Sequence, residues 1–174
     1  QNIPVRTDTG RDIRRAFVAS TYDDPWFVAG DYSQIELRVL AHVTKDEGLV
    51  SAFLADQDIH RATAATVYGV TPGDVTRQMR DTAKMVNFGI AYGMGEFGLA
   101  SRTGMTREEA EAFITTYYRN FPGIALWQQQ TLSSTREKGY AETLFGRRRY
   151  LPAIRSTNFQ VRSAAEREAI NMPI

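Results

Sequence analysis

The pattern of apolar and polar positions changes period twice along the chain. Residues 11–20 (RDIRRAFVAS) end in alternating, β-tolerant positions, and 26–32 (WFVAGDY) form a short apolar run. The turn residues of YDDP (22–25) separate them, so two strands are expected, the second one buried. Helical spacing begins at SQIELRVLAH. Ile35, Leu37, Val39 and Leu40, with charges between them, suit the first turns of a helix, and Ser33 is its candidate cap.

Most of the remainder reads as helix. Short amphipathic segments cover 46–56 and 58–69. Thr71-Pro72-Gly73-Asp74 combines a cap, a proline at the first helical position and an acid two residues on. Thr76 can cap a longer helix running to about Tyr92, and Thr106 with Glu109 forms a capping box for a helix from Arg107 to about Asn120. Pro122 begins another helix, which Gly139 ends. Residues 140–151 (YAETLFGRRRYL) read as a hairpin turning near Phe145-Gly146, and a last helix covers about Asn158 to Met172, where Pro173 interrupts it. The expected class is α+β, mainly α: a small antiparallel sheet portion, then a helical body, then a short β-hairpin.

Composition narrows the classes of function. The chain has 174 residues, 43% of them hydrophobic, enough for a core. It has no cysteine, which excludes disulfides and thiolate metal sites and suits a cytosolic protein. No run of about 18 apolar residues exists to span a membrane, and QNIPVRTDTGRDIRR has no apolar segment of the signal-peptide kind. Net charge is only +1, yet 145–174 carries six arginines against two acids, with Arg147, Arg148 and Arg149 consecutive. Such a cluster is either a solvated surface or a footprint for phosphate and nucleic acid.

Two segments carry candidate chemistry. In DYSQIELRVLAH (31–42), Asp31 follows the apolar run WFVAG. A carboxylate there needs a partner, and Mg²⁺, which takes carboxylate, carbonyl and water oxygens, is one; capping of the next turn is the plainer alternative. In RQMRDTAKMVNFGIAYG (77–93), Arg80, Lys84 and Phe88 recur every four residues and Tyr92 continues the line. On a helix the first three lie along one face, over about 12 Å at 1.5 Å per residue. The order cation, cation, aromatic, aromatic matches a nucleoside triphosphate laid alongside, phosphates by the cations and sugar and base by the rings. It also fits an amphipathic helix with two surface cations and two core rings.

Together these segments resemble motifs A and B of family A DNA polymerases, the bacterial polymerase I type, and the likeness extends over nearly the whole chain. The resemblance implies a partial palm with motif A over 1–45, helical fingers over 46–139 with the nucleotide-binding helix at about 76–92, and a hairpin and helix returning to the palm over 140–174. It implies that Asp31 binds two Mg²⁺ ions, with the Tyr32 carbonyl completing one shell. Gln34 would join the nucleotide site, and Glu36 would fill the space a ribonucleotide's 2′-OH needs, which is specificity by exclusion. Arg80 would hold the γ-phosphate. Lys84 would bind phosphate and serve as the catalytic proton donor to pyrophosphate, and His60 would contact the β-phosphate. Phe88 would stack near base and sugar, and its being Phe rather than Tyr implies discrimination against dideoxynucleotides. Tyr92 and Gly93 would mark the template-facing end.

Further resemblance assigns DNA contacts to Gln1 and Asn2 near the primer terminus, to Arg147 and Arg148 on a template phosphate, and to Arg167 and Asn171 in the minor groove, whose acceptors are similar for every base pair. The partners implied are primer–template DNA and deoxynucleoside triphosphates (dNTPs), in a bacterial cytoplasm, with no membrane. The family's third motif, which brings the second metal-binding Asp, is absent from these residues, so the chain by itself is expected not to extend primers. Its oligomeric state is open, and apolar surface where palm and thumb would dock would favour self-association. A single-subunit RNA polymerase is the alternative enzyme, against which Glu36 argues. A fragment that only binds nucleotide or DNA is the other alternative.

Overall fold

In a computed structural model of the chain, the described residues are 7–19 and 26–174. They belong to two compact units, divided between Ser33 and Gln34.

In the first unit the expected strands do not form. Asp8–Arg15 is instead an α-helix, α1, whose cap Thr7 accepts from the Gly10 amide at 3.1 Å. Its polar sequence favours this outcome. Asp8 pairs with Arg11 and Asp12 with Arg15, each three residues apart on one face, and a helix satisfies its own backbone hydrogen bonds locally. Residues 26–32 have no regular structure. Trp26, Phe27 and Val28 are 77%, 69% and 96% exposed, so the apolar run is not a buried strand. A strand needs a neighbour for its N–H and C=O groups, and the described residues of this unit contain no other strand. The turn expected at 22–25 and the segment 1–6 lie outside the described residues.

The second unit is a helical body. Its first helix, α2 (Ile35–Thr44), is capped at Gln34, one residue later than Ser33; Gln34 adopts a left-handed φ of 52° and makes no side-chain cap bond. Next come α3 (Glu47–Leu54), α4 (Ile59–Tyr68) and α5 (Arg77–Ala91). Between α4 and α5, Pro72–Asp74 forms one turn of 3₁₀ helix. Asp46, Asp58 and Thr76 cap these three helices through their side chains, as short acceptors at such positions do. The stretch after Gly93 folds into α6 (Glu96–Thr103), which its sparse apolar pattern hid, followed by α7 (Arg107–Asn120) with the expected capping box. The longest helix is α8 (Pro122–Lys138), ended by Gly139 at a φ of 81°.

The hairpin follows. Strands β1 (Tyr140–Glu142) and β2 (Arg148–Tyr150) pair antiparallel, with Tyr140 opposite Tyr150 and Glu142 opposite Arg148. A 3₁₀ turn, Pro152–Arg155, leads to α9 (Phe159–Asn171), capped by Asn158. Within the turn, Arg155 donates to the carbonyls of Arg136 and Glu137, which the end of α8 leaves without helical partners. Arg149 pairs with Glu168 at 2.8 Å and so fastens the hairpin to α9.

Packing explains why α5 is held firmly. Leu37 and Leu40 of α2, Leu49 of α3, Ile59 of α4, Val86 and Ile90 of α5, Leu99 of α6, Tyr117 of α7 and Ile124 of α8 form one buried cluster. Beneath it, the Asp46 carboxylate accepts from Leu49 at the start of α3 and from Gly123 at the start of α8, at 3.2 and 3.0 Å. At the far end, Gln128 of α8 donates to the Ile90 carbonyl at 2.9 Å and accepts from the Tyr118 hydroxyl at 2.8 Å. Burial pushes the Tyr118 phenol up, against the hydrogen bond to Gln128, and pushes Tyr117 up further.

Candidate nucleotide-binding site

The site is built where α4 lies along α5. Asp58 does two jobs at the start of α4. Its Oδ1 accepts from the His60 and Arg61 amides at 3.0 and 3.2 Å, and its Oδ2 accepts from Arg80 Nε on α5 at 2.7 Å. Burial pushes the Asp58 carboxyl up, but the guanidinium and the two amides outweigh it and hold the group below the usual carboxylate range. Arg80 is thus engaged with an internal anion, while Lys84, one turn further, is exposed and has no ion pair among the described residues.

His60 is only 3% exposed. Its Nδ1 lies 3.1 Å from the Asn87 amide nitrogen, and its ring centre is 5.7 Å from that of Phe88. Burial pushes its pKa down, and Arg80 and Lys84 push the same way against Asp58. The sequence-derived line of Arg80, Lys84, Phe88 and Tyr92 is therefore carried by α5 and its C-cap, with His60 brought beside it by α4. Tyr92 continues the line to Glu36. Burial, with the Glu36 carboxylate beside it, pushes its phenol up to about 12.

The end of α5 opens on a cleft of about 840 Å³, lined by Phe88, Tyr92, Gly93, Phe97, Phe159 and Arg167 among others. Two glycines shape it. A Cβ on Gly89 would stand 2.0 Å from Met94 Cε, and Gly93 has a φ of 70° with Arg167 Cγ 3.2 Å from where a Cβ would sit. Arg167 donates to Ser163 Oγ at 3.0 Å, and Asn171 keeps a buried Oδ1 without a hydrogen-bond partner.

Other predicted residues belong to other elements. Asp31 and Tyr32 lie in the first unit, both exposed, and Tyr32 is 80% so. Gln34, half-buried, begins α2. On the hairpin, Arg148 is held by Glu142 at 2.5 Å and stacks over Tyr140 at 4.7 Å, whereas the Arg147 side chain has no ion pair among the described residues. Gln1 and Asn2 lie outside the described residues. Among the described residues no group of three His, Cys, Asp or Glu side chains could hold a metal ion.

Sequence reasoning missed Asp58, Asn87, Gln128 and Asp46. Asp46 and Asp58 carried a usable signal, since each immediately precedes a helix. Asn87 was marked by being polar on the face of α5 that carries Ala83, Val86 and Ile90, all of them buried.

The sequence model of DNA polymerase family A matches residues 1–174, and the chain belongs to that family. It is 52% identical over its full length to DNA polymerase I of Pseudomonas aeruginosa and 51% identical to that of Bacillus subtilis. The thermostable DNA polymerase I of Thermus filiformis is also 51% identical. The chain spans 19%, 20% and 21% of those relatives, about a fifth of their length. Among solved structures, the POL domain of Pol1 from M. smegmatis, in complex with DNA primer-template and dNTP, superposes with a TM-score of 0.86. That likeness covers 99% of this chain and 30% of the other, at 40% identity.

Proposed function

We propose that the protein containing this chain carries out template-directed DNA synthesis, transferring a nucleotide from a dNTP to a primer 3′-OH, and that these residues select the dNTP. The observation that carries the reading is the convergence of His60, Arg80, Lys84 and Phe88 where α4 meets α5. In this reading Arg80 takes the γ-phosphate as a planar fork of donors, Lys84 takes phosphate as a point charge and protonates the departing pyrophosphate, and His60 donates to the β-phosphate. The charge of Arg80 and Lys84 offsets what develops as pyrophosphate leaves. Phe88 lies along the sugar and base. Glu36, oriented by Tyr92, stands where a 2′-hydroxyl would fall. Support comes from the M. smegmatis neighbour, whose structure contains primer-template DNA and dNTP, and from the polymerase I relatives.

We assign the palm to residues 1–45, the fingers to 46–139 and the return to the palm to 140–174. Asp31 and the Tyr32 carbonyl are hard oxygen donors of the kind Mg²⁺ takes, and substrate phosphates and water complete such shells. Bound there, Mg²⁺ would supply the charge that activates the 3′-OH and steadies the leaving oxygen. Gln1, Asn2, Arg147, Arg148, Arg167 and Asn171 are the proposed DNA contacts, with Gly93 at the template end. Arg147 is the readiest of the hairpin cations, since Arg148 already has Glu142. No described helix is long and apolar enough to cross a membrane, and we assign the protein to the bacterial cytoplasm.

The test is a graft. Residues 1–174 replace the matching region of an active family A polymerase, and primer extension is measured with dNTPs and with ribonucleotides, Asp31→Ala serving as the control. Extension with dNTPs that Asp31→Ala abolishes is the expected result. An inactive graft that still folds and binds DNA would remove the enzymatic reading, and equal use of ribonucleotides would favour an RNA polymerase.

A further inference from the structure

Asn87 is the fully buried polar side chain of α5. It is 0% exposed and makes its side-chain hydrogen bonds to Thr63 and His60 of α4. Its Oδ1 accepts from the Thr63 hydroxyl at 3.2 Å, and its Nδ2 lies 3.1 Å from Thr63 Oγ1 and 3.1 Å from His60 Nδ1. An amide N–H can only donate, so the ring nitrogen facing it must be an acceptor. In a neutral imidazole the proton then sits on the other nitrogen.

We infer that Asn87 is a positioning residue for His60: its amide fixes the imidazole as the neutral tautomer that donates through Nε2, on the ring edge away from Asn87. The inference rests on the reading of His60 as a phosphate contact and changes what kind of contact it is. His60 becomes an uncharged, directional donor set between two permanent cations, rather than a third cation. Two further observations support it. His60 is 3% exposed as a residue, and its Nε2 has no hydrogen-bond partner among the described residues yet is not one of the buried unpartnered atoms, so this edge of the ring is the one open to a ligand. The surroundings of the ring also oppose protonation on balance: burial foremost, then Arg80 and Lys84 on α5, disfavour the imidazolium, and only Asp58 on α4 favours it. A neutral ring keeps the same donor across the physiological pH range, so the contact would not switch with pH as an unperturbed histidine does.

The experiment reads the ring directly. The chain has two histidines, so the two-bond ¹H–¹⁵N ring spectrum of the ¹⁵N-labelled chain contains two patterns, and His42→Gln assigns them. The expected result is a His60 pattern with the proton on Nε2, unchanged between about pH 6 and 8. Asn87→Asp, the same size but able only to accept, should move the proton onto Nδ1. A wild-type ring protonated on Nδ1, or an imidazolium at neutral pH, would overturn the inference, and so would an Asn87→Asp ring identical to wild type. Should Asn87→Asp not fold, the wild-type pattern alone decides. A dNTP titrated into the same sample separates the two readings. Movement of the Nε2 resonance supports the phosphate contact. No movement at either nitrogen, with the proton on Nε2, removes the phosphate contact and leaves the control by Asn87 standing.

Discussion

Arg80 donates from Nε to Asp58 Oδ2 at 2.7 Å, so the guanidinium proposed for the last phosphate is already paired with a carboxylate of the neighbouring helix. Both side chains are about one-third exposed, 33% and 34%, and ion pairs of that kind are worth only ~0.5 kcal/mol. A γ-phosphate can therefore displace Asp58. Asp58→Asn keeps a competent helix cap and removes the competing charge. Affinity for a dNTP should rise by about two- to threefold, the equivalent of that energy, and the rise should vanish in an Arg80→Gln background. Calorimetric titration of wild type, the two single variants and the double variant checks this. An equal gain with and without Arg80 would mean that Asp58 acts by simple repulsion of phosphate.

The same pair fixes an acid dependence. The folded-state pKa of Asp58 is depressed, so its contribution to stability is present above the unfolded value of about 3.9 and is lost as pH falls through the folded value. Urea midpoints of wild type and Asp58→Asn should differ by a constant amount at neutral pH, and the difference should close below about pH 4.

Asp46 is predicted to matter more for stability than any proposed nucleotide ligand. It is 3% exposed and accepts from the first turns of both α3 and α8. Losing one cap costs ~1 kcal/mol, and here two are lost together with a buried packing site. Asp46→Ala should lower stability by ~2–4 kcal/mol, and Asp46→Asn by less, since one acceptor oxygen remains. Chemical denaturation of the two variants gives the comparison.

Much of this architecture was legible because helix starts are written in local chemistry. Thr76, Asn158 and the Thr106–Glu109 box predicted their helices to within a residue or two, and the four-residue spacing of Arg80, Lys84 and Phe88 gave the line on α5. The first unit was not legible for the opposite reason. A strand is made by its neighbours, and residues 26–32 read as a buried strand only if a sheet receives them. Asp58, Gln128 and Asn87 were missed because their roles depend on contacts 22 to 38 residues away, which no spacing rule reaches.

Gly89 shows how closely the end of α5 is packed. Alanine in a helix interior is favoured over glycine by ~1 kcal/mol, yet a Cβ there would stand 2.0 Å from Met94 Cε, 2.9 Å from Sδ and 3.2 Å from Cβ. Displacing a packed side chain costs ~1–3 kcal/mol, so Gly89→Ala should be destabilising by up to ~2 kcal/mol on balance. Met94→Ala in the Gly89→Ala background should recover the propensity gain. Thermal melts of the two single variants and the double variant test the contact, and additive effects would rule it out.

Tyr92 and Glu36 give the prediction closest to substrate choice. The phenol lies close enough to the Glu36 carboxylate for each to feel the other, so Tyr92 is the partner that can aim Glu36. Tyr92→Phe removes the hydroxyl that faces the carboxylate, at up to ~1 kcal/mol of stability. The Tyr92 phenol is raised to about 12. Its contribution is therefore complete below the ordinary tyrosine value of about 10 and is lost as pH rises through about 12. Wild type and Tyr92→Phe should keep a constant stability gap up to about pH 10 and converge above it. For selectivity, Glu36→Ala opens the space of the 2′-hydroxyl and should shrink the preference for dNTP over ribonucleotide by about tenfold or more. Tyr92→Phe leaves the carboxylate in place but free to turn away, so its loss of preference should fall between wild type and Glu36→Ala. Paired titrations with the two sugars measure all three. A Tyr92→Phe protein that discriminates as well as wild type would mean that Glu36 needs no partner to hold its position.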